Sequence, residues 1–371
     1  MIGRPRDAPV TPALLLDLPT VRKNIAEMAS RMANLPASLR PHAKIHKNPM
    51  LAQMQLDAGG IGLTTATIWE ASAFADRGFS DLLVANEVVG PVKAAETARA
   101  AGLARVIVAV DSPANVQELS DAAAAAGSEI NLLVDVDVGQ HRSGVPSHAV
   151  ALGLAEMIDR LSGVRLAGLL GYEGHCMLEP DRALRITKAR AANDVLVGTA
   201  DELARHGHNT GIVAGGGLGT WDITGANPRI TEIHAGSHIF SDAFHRTLVP
   251  GFDPALTVLS TIISCSGRNA VLDCGRKAIG IDRTGPEVVG DEAEIRTEYG
   301  VQFIHEEHTG IELREGSRLD IGDRVELMPG YAPTTVNFYD MYHVIEDDVI
   351  IDVWPVIARY GSATAGVGPA L

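Results

Sequence analysis

A chain of 371 residues, 46% hydrophobic and 21% charged, can form one large domain with a smaller one, or two of similar size. Its formal net charge of −15 argues against nucleic acid or an anionic membrane as the main partner. Cys176, Cys265 and Cys274 are too far apart for a zinc ribbon or a disulfide framework, and neither a signal core nor a membrane-length apolar run is present. The expectation is a soluble protein of the reducing cytoplasm.

TPALLLDL (11–18) reads as a strand that joins a β domain, and TVRKNIAEMASRMAN after it as a helix. LRPHAKIHKNP (39–49) reads as a strand to residue 46. Alternation puts Leu39, Pro41, Ala43 and Ile45 on one face and Arg40, His42, Lys44 and His46 on the other, with Lys47 back among the apolar set. Such a strand suits either a solvent-wetted sheet edge or a barrel whose polar side faces an active site. Seven more β-rich runs follow: GIGLTTA (60–66), DLLVAN (81–86), RVIVAV (105–110), NLLVDVDVG (131–139), LAGLLGYEG (166–174), GIVAGGG (211–217) and EIHAGSHIF (232–240). Helical runs lie between them, among them SPANVQELSDAAAAAG, opened by Ser-Pro and closed by Gly. This alternation predicts an α/β fold with a parallel sheet, and eight strands close a TIM-type (β/α)8 barrel, although a doubly wound open sheet has a similar rhythm. Past residue 250 the segments become short, β-rich and separated by Gly, Asp or Asn turns, which predicts an all-β C-terminal domain. The expected division is a barrel over 19–248 and a β domain from 1–18 and 249–371.

In such a barrel the functional groups collect where strands end. Those ends carry Lys44 and His46, then Arg142, then Tyr172 and His175, then Gly215-Gly216-Gly217, and last Gly236-Ser237-His238. Glycine loops after the last two strands let backbone N–H groups close on a phosphate, whereas AGGGLG alone is equally well a tight turn. A phosphate cup, a lysine across the rim and an arginine between them point to pyridoxal phosphate, which needs a Schiff-base lysine and a partner for its phenolic oxygen. Neighbouring cations lower a lysine's pKa, and Arg40, His42, His46 and Lys47 are the local candidates. Alternation favours Lys44 over Lys47; the plain alternative is a lysine on a solvated strand.

PHAKIHK resembles the Pro-His-x-Lys-x-His-Lys segment of the D-threonine aldolase and D-serine dehydratase family, fold-type III pyridoxal phosphate enzymes related to alanine racemase. The resemblance continues through VGQHRSGV, GYEGH, GGGLGT, AGSHIF, VLDCGRKA, GDRVELMPG, TTVNFYDMYHV and DVWPVIAR, in that order. It implies that Lys44 carries the cofactor, Arg142 approaches its phenolic oxygen and Tyr172 lines its ring. It also implies that Gly216, Gly217, Gly236 and Ser237 hold the phosphate, and that the protein is a homodimer whose active site lies between barrel and β domain. The activity implied is that of a lyase cleaving a β-hydroxy-D-amino acid to glycine, or a simpler amino acid, and an aldehyde.

One segment departs from the family. Its metal-dependent members are expected to carry a histidine and, two positions on, an aspartate or cysteine where PGYAPTTVN has Tyr331 and Pro333. Proline offers no ligand and a neutral tyrosine a poor one, so no metal is expected. His305 and His308 of HEEH are surface residues in this reading. Dehydration loses more than cleavage without a Lewis acid, which leaves His175, His238 and Tyr331 as acid–base candidates or plain pocket walls. The alternatives are a racemase or epimerase pairing Lys44 with Tyr331, a D-serine dehydratase-like ammonia-lyase, a pyridoxal phosphate carrier and a sugar-phosphate isomerase.

Overall fold

The computed structural model describes residues 1–289 and 301–359, and the chain divides into two compact units. One unit contains Met28–Lys44 and Leu51–Gly236. The other contains Met1–Glu27, Ile45–Met50 and the described residues from Ser237 to Arg359. No helix among the described residues is long and apolar enough to cross a membrane.

The chain opens with β1 (Ala13–Asp17) and α1 (Leu18–Met32). The first unit then holds eight strands: β2 (Ser38–Leu39), β3 (Leu63–Thr65), β4 (Asp81–Glu87), β5 (Arg105–Val110), β6 (Ile130–Asp135), β7 (Val164–Gly171), β8 (Ile212–Gly215) and β9 (Glu232–Ile233). All pair in parallel in the order β2-β9-β8-β7-β6-β5-β4-β3, and a bridge between His42 and Thr64 joins the two ends of the row. Seven helices alternate with the strands: α2 (Pro49–Asp57), α3 (Ile68–Ala75), α4 (Pro91–Ala101), α5 (Pro113–Ala126), α6 (His148–Ile158), α7 (Arg182–Arg205) and the one-turn α8 (Trp221–Thr224). Local sequence sets their ends. Ser112 accepts the N–H of Asn115 at the start of α5, Pro113 follows it, and Gly127 takes the left-handed conformation that stops the helix. Leu83, Ile107, Ala109, Leu133, Ala167, Leu170 and Ala214 meet in one buried cluster, so strand side chains fill the centre.

The second unit is strand-rich. Short α9 (His245–Leu248) precedes β10 (Leu256–Ser266), β11 (Asn269–Leu272), β12 (Glu287–Val289), β13 (Val301–Ile304), β14 (Thr309–Glu312) and β15 (Arg324–Met328). Then come α10 (Ala332–Asn337), β16 (Met341–Glu346) and β17 (Val349–Pro355). The main path runs β13-β14-β11-β10-β1-β16-β17, with β15 pairing β10 and β12. The first strand of the chain therefore lies between β10 and β16, and Ala13, Leu15, Leu259, Ile345 and Ile350 form a core there. His305 and His308 are exposed at the turn between β13 and β14, where the His305 N–H donates to the His308 carbonyl at 2.8 Å.

The stretch expected as a strand over 39–46 is shorter. Ser38, Arg40 and His42 donate their N–H groups to the carbonyls of Thr231, Ile233 and Ala235, which is strand pairing as far as His42. Ala43–Ile45 then turn as a 3-10 helix, so alternation does not reach Lys44. The eighth run shortens likewise, since Ser237–Ile239 also form a 3-10 turn. In both places the chain leaves the sheet where the barrel ends and side chains must be redirected.

Candidate active site

The two ends of the barrel hold different chemistry. Asp81, Arg105 and Glu232 are the first residues of β4, β5 and β9. Arg40, 2% exposed, binds Glu232 with two nitrogens at 3.0 and 3.2 Å and also pairs with Asp81. Arg40 is thus part of an ion cluster where strands begin, not a neighbour that tunes Lys44. Burial alone would raise the Glu232 carboxyl, but His234 and Arg40 outweigh it and hold it down at about 2.

At the opposite end, Lys44 is partly buried. Desolvation lowers its pKa, the charge of Glu70 works the other way, and the nearby Arg142 lowers it further. The cation that the site supplies is therefore Arg142, close in space, rather than the histidines beside Lys44 in sequence. Those are committed elsewhere: His42 Nδ1 lies 3.1 Å from the Thr64 carbonyl, and His46 Nδ1 accepts the N–H of Asn48 at 3.0 Å. Lys47 donates to Asn337 Oδ1 at 3.1 Å and to the Ala358 carbonyl at 3.2 Å. Lys47 is thus engaged by two acceptors, whereas Lys44 is desolvated beside Arg142.

Arg142 sits in the loop after β6, which Asp137 organises by accepting the N–H groups of Gly139 and His141 at 3.0 and 2.9 Å. The guanidinium lies over the Tyr172 ring, 5.6 Å from its centroid. The same ring bears on the glycine loop, because a Cβ on Gly217 would come within 3.1 Å of it. Lys44, Arg142, Tyr172 and Gly217 thus form a connected set. His175 Nδ1 is buried with no hydrogen-bond partner, and its Nε2 is 3.5 Å from Cys176 Sγ.

Gly216 serves the loop differently from the expectation. Its φ of +73° suits glycine, and its N–H donates at 3.0 Å to the buried Glu173, so it is not free for an anion. Thr224 donates to the other Glu173 oxygen. Gly217 donates to Thr220 Oγ1 at 3.2 Å. Within the described residues no hydrogen bond takes up the N–H of Leu218, Gly236 or Ser237, so each of these groups can donate to an anion.

Ser237, His238 and Tyr331 belong to the strand-rich unit. Ser237 is buried, and His238 is buried against Phe252 with ring centroids 5.8 Å apart. Tyr331 precedes α10 and stacks on His245 at 5.7 Å. His245 Nδ1 is 2.7 Å from the buried Asp242, which also accepts the Ala332 N–H. Burial raises the Tyr331 pKa, only partly offset by Arg283, so its phenol stays protonated. Sequence reasoning missed Glu70, Glu87, Asp135, Glu173 and the Asp242–His245 pair. Glu87 and Asp135 had a signal: one directly follows the run 81–86 and the other lies inside the run 131–139, and each proves to end its strand, where function collects.

A barrel with a desolvated lysine and a glycine loop at its strand ends is of the alanine racemase-like class. The family model for the alanine racemase N-terminal domain matches residues 16–219, and that for a putative serine dehydratase domain matches 255–345. The chain is 34% identical over 355 residues to a D-threonine aldolase from Arthrobacter sp, covering 94% of this chain and 92% of that one. It is 30% identical to the 3-hydroxy-D-aspartate aldolase of Paracoccus denitrificans (strain Pd 1222), over 94% and 92% of the two chains. A crystal structure of D-threonine aldolase from Filomicrobium marinum superposes with a TM-score of 0.91 at 30% identity, covering 97% of this chain and 98% of the other. The chain belongs to the D-threonine aldolase and D-serine dehydratase family.

Proposed function

We propose that the protein is a pyridoxal phosphate-dependent lyase that cleaves a β-hydroxy-D-amino acid to glycine, or a simpler amino acid, and an aldehyde without a divalent metal. The carrying observation is Lys44: a lysine desolvated beside Arg142 is held ready to lose its proton, as a covalent carrier must. The residues around it fit the cofactor. Lys44 would hold it covalently, Arg142 its phenolic oxygen and Tyr172 its ring. The N–H groups of Leu218 and Gly236, with Ser237 next in the chain, would hold its phosphate, while Gly216 and Gly217 shape the loop. Bound there, pyridoxal phosphate supplies the electron sink into which a Cα–Cβ bond breaks.

Cleavage needs a base at the substrate's β-hydroxyl. His175 Nδ1, buried and without a partner, supplies it in this reading. Tyr331 and Pro333 do not suit a divalent ion, since burial keeps the phenol protonated and proline has no donor atom. The protonated phenol of Tyr331 can donate a hydrogen bond instead; a racemase would need it as a base. The family supports a homodimer, and the free Cys176, Cys265 and Cys274 support a reducing compartment.

The test is to strip metals with a chelator, load the chain with pyridoxal phosphate and supply a panel of β-hydroxy-D-amino acids. Glycine and aldehyde at an undiminished rate are expected. A keto acid with ammonia would transfer the protein to the dehydratases, and the opposite enantiomer to the racemases. Activity restored only by a stoichiometric divalent ion would overturn the metal-free reading.

A further inference from the structure

In the GYEGH stretch Tyr172 and His175 have roles, and the acid between them has none. Glu173 is only 1% exposed, yet no ion pair holds it among the described residues. A buried acid is ordinarily matched by a cation. Here its two oxygens take donors from the glycine loop instead. The Gly216 N–H donates to Oε2 at 3.0 Å, and the Thr224 hydroxyl donates to Oε1. Gly216 directly follows β8 and Thr224 closes α8, so one side chain ties down both ends of the segment. Thr224 is buried too, with its Oγ1 3.3 Å from Asn193 Oδ1 on α7.

Between those ties the loop is closed on itself. Gly217 N–H donates to Thr220 Oγ1 and Thr220 N–H to the Gly217 carbonyl, both at 3.2 Å. Gly219 N–H donates to Met177 Sδ at 2.9 Å. The N–H of Leu218, in the middle, has no acceptor. Tyr172 bears on the same loop, since a Cβ on Gly217 would lie 3.1 Å from its ring. Two neighbouring side chains, Tyr172 and Glu173, thus grip two neighbouring glycines.

We propose that Glu173 is the positioning residue of the phosphate loop: it clamps Gly216 and Thr224 so that the Leu218 N–H stays available to the cofactor's phosphate. Glu173 touches neither cofactor nor substrate and acts through the backbone it holds. A carboxyl suits the task because it offers two acceptor oxygens in one plane to donors at separate points of a turn. The anchor shapes the loop before the phosphate arrives, and a preformed site binds more tightly than one that must first be ordered. The proposal rests on the cofactor reading and deepens it: the preference for pyridoxal phosphate over pyridoxal depends on Glu173.

The test compares those two ligands, which differ only in the phosphate, by visible-absorbance titration of the full-length chain. The unaltered protein should bind the phosphorylated form more tightly. Glu173→Leu, similar in size but without acceptors, should weaken pyridoxal phosphate roughly tenfold and pyridoxal by less than about twofold. Glu173→Gln should restore most of the difference. Its carbonyl can accept from Gly216, and its amide can donate to Thr224, whose hydroxyl then donates to Asn193. Thr224→Val keeps the shape and cuts one tie, so it should show a smaller loss of the same selective kind; it decides the matter if Glu173→Leu does not fold. Equal loss of both ligands in these variants would make Glu173 a structural residue only and overturn the proposal. Glu173→Gln binding as weakly as Glu173→Leu would overturn it as well, because acceptance from the loop would not be what matters. An unaltered chain that binds neither ligand would instead sink the cofactor reading, and the clamp's role with it.

Discussion

The barrel buries charge at both ends, and the two ends treat it in opposite ways. Where strands begin, Arg40 is matched by Glu232 and Asp81, and His234 completes the set. Where strands end, Lys44 is desolvated next to another cation, burial raises the Asp135 carboxyl, and His175 Nδ1 has no partner. The balanced end lowers the energy of the folded state and leaves its ionised forms locked. The unbalanced end costs stability, because desolvation and a neighbouring cation disfavour the charged form of Lys44. Barrels keep these tasks at opposite ends, and here the difference can be read from charge balance alone.

The largest effect should come from removing the unbalanced lysine. Lys44→Met should abolish cofactor absorbance and activity, whereas Lys47→Met should keep the absorbance. A lysine whose folded pKa is depressed costs stability at neutral pH, and that cost disappears only as pH rises past the unfolded value of 10.5. Lys44→Met should therefore stabilise the cofactor-free chain at pH 7 by on the order of 1 kcal/mol, seen as a higher melting temperature. A fall would place Lys44 among the balanced groups.

Arg40→Met should do the reverse. It leaves the buried Glu232 without its guanidinium, while Asp81 keeps Arg105, and should cost about 3–5 kcal/mol. Glu232 has a depressed folded pKa, so its contribution is full above the ordinary 4.5 and is lost as pH falls toward about 2. Thermal melts from pH 7 down to 3 should show a steep acid loss in the unaltered chain and a shallower one in Arg40→Met. Equal slopes would mean that the cluster does not hold Glu232 ionised.

The smallest effect should be at Gly217. A methyl group there would sit 3.1 Å from the Tyr172 ring, so the ring must shift slightly. Displacing a side chain from its rotamer costs about 0.5–1.5 kcal/mol, and Gly217→Ala should loosen the cofactor by roughly two- to tenfold. Fluorescence titration with pyridoxal phosphate would measure it, and unchanged affinity would detach Tyr172 from the cofactor site.

Much of this architecture was legible in the residues. Eight β-rich runs with helices between them, the Ser-Pro and Gly that bound α5, and glycine loops after the last strands all act through neighbours in sequence. Backbone propensity and capping need nothing more distant. The motif resemblance added the family, which the similarity of the whole chain to D-threonine aldolase bears out. The strand-face argument for Lys44 was less sound. Alternation holds to His42, then the chain turns at Ala43–Ile45, so the lysine's placement follows from the turn and not from strand period.

What the sequence alone determined is the order of elements and the residue types available at each strand end. What tertiary structure decided is which of those ionisable groups meet. Arg40 found Glu232 at a separation of 192 residues, and Lys44 found Arg142 rather than the histidines beside it. A side chain's pKa depends on the water it loses and the charges it gains, and both are sums over neighbours that exist only once the barrel has closed.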